Sequence, residues 1–367
     1  MSRRIWGRIL LLVGAGCIMA AIFALILFLG KEKEEPGIKI GFIMTGSTEE
    51  SGWNGMHYSG VKEACEKLGT VLLVREHVKE FSGECIQAIR ELAAEGASMI
   101  ILSSYGYSEE VKELVKEYPQ ITFYTNSSEF HDVNMTSYFA RMYQARYLAG
   151  IVAGMKTTSG KIGYVAAMEN NEVNRGINAF TLGVKRVNPD AEVVVNWTGD
   201  WENEEKEKEA ARQLVTVEHV DVLTYHQNRA NVVETAEAEN VYSIGYHIAL
   251  KGYSDQYLTS VVCNWTLVYE EIIRAYLVGK GNIKDNYWIG MEAEAVELSQ
   301  YSPEVTAEIV KELEAAKREI LSGRDVFSGV IYDKDGTLRC EEKETISDEV
   351  ILEQFDWFVE GVRIYEK

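Results

Sequence analysis

The side chains best suited to hold a small molecule come directly after predicted β-strands, in loops rich in aromatic, amide and hydroxyl groups. In parallel sheets covered by helices, ligands bind beyond the carboxyl ends of the strands. Rings in such loops stack on flat ligands, and polar groups hydrogen-bond to the ligand edges. The chemistry indicated is therefore binding. The candidate binding residues are Ser47, Trp53, His57, Tyr105, Asn126, Glu172, Arg175, Trp201, Tyr225, His226, Tyr246 and Trp265.

Trp53 and His57 lie one turn apart at the start of a predicted helix, on the same helical face. The core does not need a large ring at a helix start, so Trp53 is expected to be a stacking platform; the alternative is a plug at the helix end. His57 fits a hydrogen bond to a ligand and a purely structural role equally well. Trp265 begins a predicted crossover helix and is expected to cap the cleft from the hinge.

Glu172 and Arg175 open another predicted helix, where they offer a ligand one carboxylate acceptor and several guanidinium donors. The alternative is a local salt bridge, which would contribute little energy. Two Tyr-His pairs, Tyr225–His226 and Tyr246–His247, directly follow two predicted strands. One tyrosine from each pair is expected in the pocket.

Sequence motifs of catalysis are absent: there is no GxSxG, GxxxxGK[ST] or HExxH motif, and no GxGxxG follows a strand. The five cysteines form no CxxC pair and no Cys/His ligand spacing, so neither a metal site nor a cofactor is expected. Buried free thiols are the expectation for the four cysteines beyond Cys17, with one disulfide left open. The chain is predicted not to be an enzyme.

Strands and helices alternate from Ile38 onwards, and the pattern restarts at Lys161. The clearest elements are a helix over Trp53–Leu68 and strands over Met99–Leu102 and Lys161–Ala166. Repeated strand–helix units are typical of parallel sheets covered on both faces. The predicted fold class is α/β, with two doubly wound parallel sheets joined by hinge crossovers. The expected first lobe comprises residues 38–145 and about 262–300, and the second lobe residues 146–261 with part of 301–367.

An apolar run from Ile9 to Gly30 follows three arginines, Arg3, Arg4 and Arg8. It can cross the roughly 30 Å hydrocarbon core as a helix, and the arginines favour a cytoplasmic N-terminus. Alternatively, Cys17 becomes the lipidated N-terminus of a lipoprotein. Residues 1–37 are thus expected to be an uncleaved signal anchor, or a lipoprotein signal, with a short linker. Either places the chain on the extracytoplasmic face of the cell membrane.

The net charge of −20 argues against nucleic acid as a partner, because nucleic-acid binding requires clustered Lys and Arg. Hydrophobic residues make up 46% of the chain, which suffices for a sizeable core, and only four residues are proline. A folded monomer with an acidic, soluble surface is expected.

Five segments carry a family resemblance: Gly52–His57, Tyr138–Gly150, Lys161–Ala167, Arg175–Phe180 and Asn188–Ala191. Together they resemble the basic membrane protein family, and the similarity extends over nearly the whole exported body. The resemblance implies a type I periplasmic-binding-protein fold. It also implies a solute receptor of an ABC importer, with an ABC permease as its partner and a purine base or nucleoside as its ligand.

A purine ligand would stack on Trp53, donate from a ring N–H or exocyclic amine to Glu172, and accept at an exocyclic oxygen from Arg175. The sequence departs from the family pattern at Asn170–Glu172 and at His226–Arg229, both near the expected cleft. A membrane-anchored ligand sensor of the same fold, without a transport role, is the alternative function. An enzyme such as a nucleoside hydrolase is the least favoured class.

Overall fold

The computed structural model describes residues 37–50, 52–126, 132–279 and 286–366. The strands are β1 (Lys39–Ile43), β2 (Val71–Arg75), β3 (Met99–Leu102), β4 (Thr122–Asn126), β5 (Met135–Ala140), β6 (Lys161–Ala166), β7 (Glu192–Trp197), β8 (Val222–His226), β9 (Tyr242–Tyr246), β10 (Tyr257–Cys263), β11 (Asn286–Ile289), β12 (Val296–Leu298), β13 (Ile331–Tyr332), β14 (Leu338–Cys340) and β15 (Val362–Ile364). The α-helices are α1 (Trp53–Leu68), α2 (Glu84–Ala94), α3 (Tyr107–Val111), α4 (Met142–Lys156), α5 (Asn171–Val187), α6 (Glu204–Thr216), α7 (Asn231–Ala238), α8 (Trp265–Gly279), α9 (Ala307–Leu321) and α10 (Asp348–Glu353).

The predicted anchor, with Cys17, falls in residues 1–36, which lie outside the described residues. Within the described part of the chain, no helix is both long and apolar enough to span a bilayer. The four cysteines of that part, Cys65, Cys85, Cys263 and Cys340, are buried free thiols.

Six parallel strands form the first sheet, in the order β11-β5-β4-β3-β1-β2. Ile40 of β1 lies opposite Leu72 of β2 on one side and Met99 of β3 on the other. β3 and β4 are buried along their whole length, as expected for central strands covered by helices on both faces. The order of the strands reverses between β1 and β3, which is where open α/β sheets bind their ligands.

Seven strands form the second sheet, in the order β12-β10-β9-β8-β6-β7-β15. β12 is antiparallel to β10, and the other neighbouring pairs are parallel. The order reverses between β6 and β8, so this sheet has its own switch point. β15 comes from the C-terminal segment and pairs with β7, which ties that segment to the second lobe.

Helices α4 and α5 approach each other so closely that only glycine fits at their contact. A Cβ at Gly150 would lie 1.9 Å from the carbonyl oxygen of Phe180, and one at Gly183 would lie 2.0 Å from that of Tyr147. Such an approach requires residues without a side chain. It brings the apolar faces of the two helices together where α4 carries the chain from the first sheet to the second.

The C-terminal segment also contacts the start of this crossover. Arg141 forms a pair of hydrogen bonds with the Asp348 carboxylate, one of them 2.7 Å long, and the Tyr143 hydroxyl donates to Asp325 at 2.6 Å. A second crossover runs through α8, which packs on α1 of the first lobe. The two-lobed α/β arrangement with two mainly parallel sheets confirms the predicted fold class.

Candidate functional site

Three rings pack against one another at the carboxyl edge of the first sheet. Trp53 is the first residue of α1, and His57 follows one turn later on the same face. The His57 ring centroid lies 4.0 Å from that of Trp53 and 3.7 Å from that of Trp265. Phe139, near the end of β5, adds a ring 5.9 Å from Trp265. We name Trp53, His57, Phe139 and Trp265 the aromatic cluster.

Hydrogen bonds fix the orientation of these rings. The Trp53 Nε1–H donates to the carbonyl oxygen of Ser103 at 3.1 Å, which ties α1 to the loop after β3. His57 Nδ1 lies 2.5 Å from the Tyr269 hydroxyl, which in turn lies 3.1 Å from the Tyr138 hydroxyl. Burial lowers the pKa of His57 well below its usual value, so its ring is neutral at pH 7. The buried Nε2 of His57 has no hydrogen-bond partner among the described residues.

A carboxylate, a guanidinium and an imidazole meet at the start of α5 in the second lobe. Asn170 caps this helix, since its side-chain oxygen accepts from the Val173 N–H at 2.9 Å. Glu172 is therefore in the first turn, where the helix dipole favours a carboxylate. Its Oε1 lies 3.7 Å from Nε2 of His226, the last residue of β8. Arg175 follows one turn later and is buried.

Burial and neighbouring charges set the protonation states of these three groups. Burial raises the pKa of Glu172, but the contact with His226 and the charge of Arg175 more than offset it, so the net pKa is lowered. Burial lowers the pKa of His226 to about 4. It also lowers the pKa of Arg175, which nevertheless stays protonated. At pH 7, Glu172 is thus ionised, Arg175 is charged and His226 is neutral.

Arg146 of α4 lies beside these groups. Its guanidinium carbon is 3.6 Å from the centre of the Tyr246 ring, and its Nη2 donates to the Tyr225 carbonyl at 2.9 Å. The Tyr246 ring centroid is also 3.6 Å from that of His247 and 4.6 Å from that of His226. We name Arg146, Glu172, Arg175, His226, Tyr246 and His247 the polar cluster.

The aromatic cluster and the polar cluster contact each other across the two lobes. The Trp53 ring centroid lies 5.2 Å from that of His247, which follows β9. The Arg175 guanidinium carbon lies 5.4 Å from the ring centres of both Phe139 and Trp288, which belong to the first sheet. In this structure the carboxyl edges of the two sheets are therefore closed on one another.

Among the residues predicted from sequence, the two clusters contain Trp53, His57, Glu172, Arg175, His226, Tyr246 and Trp265. Trp201 lies at the border of the polar cluster, with its ring centroid 6.0 Å from that of His226. Asn126 is buried at the end of β4, and its Nδ2 has no partner within the described part of the chain.

Three further predicted residues also lie outside the two clusters. The Ser47 hydroxyl donates to Glu76 at 3.1 Å within the loops of the first lobe. The Tyr225 hydroxyl donates to the Tyr246 carbonyl at 3.2 Å, so it is used within the second sheet. Tyr105 is 45% exposed, although its hydroxyl is among the groups whose interaction with Arg175 partly opposes the lowering of the Arg175 pKa by burial.

Sequence reasoning misses Arg146, Phe139 and Trp288. Arg146 is fully buried in the largely apolar helix α4, and a lone arginine within an apolar run is the signal that marks it. Phe139 and Trp288 lie near the carboxyl ends of β5 and β11, two strands that the sequence pattern does not predict. The rule that places ligands at strand ends therefore could not select these two rings.

Together the clusters offer ring faces, two guanidinium groups, one carboxylate and several imidazole nitrogens. Such a set suits a flat molecule with polar edges. Among the described residues, no group of His, Cys, Asp and Glu has a metal-binding arrangement. A two-lobed α/β body whose sheets meet at their carboxyl edges around these groups defines a solute-binding protein.

The chain belongs to the family of PnrA-like ABC transporter substrate-binding proteins (Bmp), whose model matches residues 38–326. A purine-binding protein of Brucella abortus is 30% identical over 341 residues, 91% of this chain and 95% of that protein. A Haloferax volcanii protein named as an ABC transporter glucose-binding protein is 28% identical over 91% of this chain and 82% of that protein. The crystal structure of a transcriptional activator of the comK gene from Bacillus halodurans has a TM-score of 0.67 at 22% identity, covering 78% of this chain and 98% of that chain.

This membership confirms the family resemblance seen in the sequence. It makes the chain a solute-binding protein that works outside the cytoplasm with a small-molecule ligand and a permease. The family is one of binding proteins rather than enzymes.

Proposed function

We propose that this chain is the receptor of an ABC importer for a purine base or nucleoside, which it binds between its lobes. The observation that carries the proposal is the contact between the aromatic cluster and the polar cluster across the lobes. Stacked rings on one side hold a flat ring system, and charged groups on the other side hydrogen-bond to its edge. A purine has both a flat face and an edge of alternating donors and acceptors.

Each group has a role in this proposal. Trp53 supplies the stacking surface, and its Nε1 bond to Ser103 holds the ring in place. Glu172 is ionised and accepts from a ring N–H or an exocyclic amine, while Arg175 donates to an exocyclic oxygen. The neutral His57 offers its Nε2, which has no partner among the described residues. These roles require no bond making or breaking, and the protein acts without catalysis.

Lobe closure couples binding to transport in this proposal. Arg175 belongs to the second lobe, and it contacts Phe139 and Trp288 of the first lobe only when the two sheets lie edge to edge. A ligand that bridges both clusters therefore favours the closed state over the open one. The closed form is the one that the permease receives. An uncleaved helix in residues 1–37 or a lipid on Cys17 keeps the receptor at the extracytoplasmic face of the membrane.

The purine-binding name of the Brucella abortus relative supports this ligand class for the present chain. The glucose-binding name of the Haloferax volcanii relative makes glucose the competitor to test. The charged side chains of the polar cluster, next to the four rings of the aromatic cluster, favour a purine, because a sugar presents hydroxyl groups around its whole rim and has no flat aromatic face.

Thermal unfolding of the full-length chain in detergent, with and without ligand, tests the proposal. A ligand at 100 times its Kd stabilises the native state by about 2.7 kcal/mol. Adenine, hypoxanthine or guanosine is expected to raise Tm, whereas glucose is not. Trp53→Ala is expected to remove the purine effect, and Trp197→Ala is the control, because Trp197 packs against Phe358 with ring centroids 6.3 Å apart, outside the two clusters.

The proposal is wrong if no purine raises Tm, or if glucose raises it by as much as the purines do. A ligand sensor without a transport role is the alternative, and an uptake measurement separates the two. Deletion of the gene should abolish uptake of radiolabelled purine in an importer. Normal uptake in the deletion strain would instead support the sensor.

A further inference from the structure

Arg146 carries a buried charge that forms no ion pair with any residue the structure describes. The residue is fully buried, and only its Nη2 forms a hydrogen bond, with the Tyr225 carbonyl at 2.9 Å. Its Nε and Nη1 have no partner in the described residues, and no carboxylate there lies within ion-pair distance. The Tyr246 ring, 3.6 Å from the guanidinium carbon, offers a cation–π contact but no negative charge. Buried charges are ordinarily paired, so this one calls for an explanation.

The charges around Arg146 do not balance. Glu172 is the one carboxylate of the polar cluster, and the charge of Arg175 acts on it more strongly than that of Arg146 does. Burial lowers the pKa values of His57, His226 and His247, so none of the three adds a charge at pH 7. Among the described residues of the two clusters, one carboxylate therefore accompanies two guanidinium groups, and the positive charges exceed the negative charge by one.

We propose that the cleft selects oxopurines over adenine, and that the uncompensated charge of Arg146 is what discriminates between them. The inference rests on the proposed function and names the ligand class within it. Oxopurines such as hypoxanthine and xanthine carry carbonyl oxygens where adenine carries an amine. An excess of positive charge favours these acceptors, and favours even more the anion that xanthine forms by losing a ring proton.

The edge of an oxopurine also fits the pair at the start of α5. A ring N–H beside a carbonyl presents one donor next to one acceptor. Glu172 can accept from the N–H while a guanidinium donates to the carbonyl oxygen, as the protonation states of both groups require. Adenine presents an amine beside a ring-nitrogen acceptor, and the same pair can hold it with the two contacts exchanged. The discrimination between the two classes of purine therefore rests on the charge of Arg146.

Isothermal titration calorimetry on the full-length chain in detergent tests this selectivity with xanthine, hypoxanthine and adenine. The wild-type chain is expected to bind both oxopurines at least about tenfold more tightly than adenine, as for one charge-assisted hydrogen bond. In Arg146→Met this preference is expected to disappear, and in Arg146→Lys, which keeps the charge, most of it should remain. Arg274→Met is the matched control, since Arg274 is exposed and pairs with Glu270 outside the site.

If adenine binds the wild-type chain as tightly as the oxopurines do, the proposed selectivity is wrong, although the proposed function as a purine receptor still holds. An unchanged preference in a folded Arg146→Met variant would overturn the role of Arg146. The wild-type ranking needs no variant, so the selectivity stays testable even if neither Arg146 variant folds. If no purine binds at all, the proposed function itself fails, and that outcome is distinct from both others.

Discussion

Replacing Glu207 by Gln should stabilise the protein at pH 8 and leave its stability at pH 4.5 nearly unchanged. Glu207 of α6 is fully buried. Its Oε2 accepts from the Asn231 side-chain amide at 3.0 Å, whereas its Oε1 has no partner among the described residues. Burial raises the pKa of this carboxyl from 4.5 to about 7. A glutamine of the same shape can keep the bond from Asn231 without carrying a charge.

The direction of this stability change follows from which state of the chain, folded or unfolded, holds the Glu207 proton. Between pH 4.5 and about 7 the unfolded chain has released the Glu207 proton while the folded chain retains it, so the free energy of unfolding falls as the pH rises through this window. Above pH 7 the full cost remains, on the order of 3 kcal/mol from the shift in pKa. Glu207→Gln removes this cost.

Chemical denaturation at pH 4.5 and pH 8 measures the effect. Glu205→Gln is the control, because Glu205 lies on the same helix but is exposed. We expect Glu207→Gln to raise the free energy of unfolding by about 3 kcal/mol at pH 8 and by much less at pH 4.5. An equal gain at both values, or a loss at pH 8, would refute the buried, protonated state assigned to Glu207.

Three further predictions concern packing, pH and binding. Gly150→Ala should destabilise the protein by about 1–3 kcal/mol in denaturant titrations, because its Cβ would press on the Phe180 carbonyl; an unchanged midpoint would contradict the close helix contact. The pKa of His226 is lowered to about 4, so the unfolded chain binds more protons than the folded chain between pH 6.5 and 4, and stability falls as the pH falls through that window. In denaturant titrations across this window, His226→Gln should lose stability less steeply than the wild-type chain. An identical loss would refute the lowered pKa of His226. Glu172→Gln should weaken purine binding in calorimetry by about tenfold, and undiminished affinity would exclude Glu172 as an acceptor.

The fold could be predicted from the sequence because most of its helices and strands follow the hydrophobic periodicity of their own residues. The helix Trp53–Leu68 and the strands Met99–Leu102 and Lys161–Ala166 have the bounds that periodicity predicts. The short strands β5, β11, β12 and β15 could not be predicted, because they owe their structure to pairing with strands distant in the chain.

The rule of strand ends could place His226 and Tyr246 together, because they end the neighbouring strands β8 and β9. It could also place Trp53, which follows the loop after β1, at the carboxyl edge of the other sheet. It could not reveal Arg146, since a charged residue within a helix is ordinarily assigned to the solvent face. The contacts of Arg175 with Phe139 and Trp288 depend on how the lobes meet, which no local pattern specifies.

Mass spectrometry of the small molecule that co-purifies with the full-length chain tests the central claim most directly. The lobes are closed at the carboxyl edges of their sheets, and a ligand held between them should survive a mild purification. Denaturing the protein is expected to release a purine base or nucleoside in near-stoichiometric amount. Release of a hexose, or of any ligand without a purine ring, would contradict it.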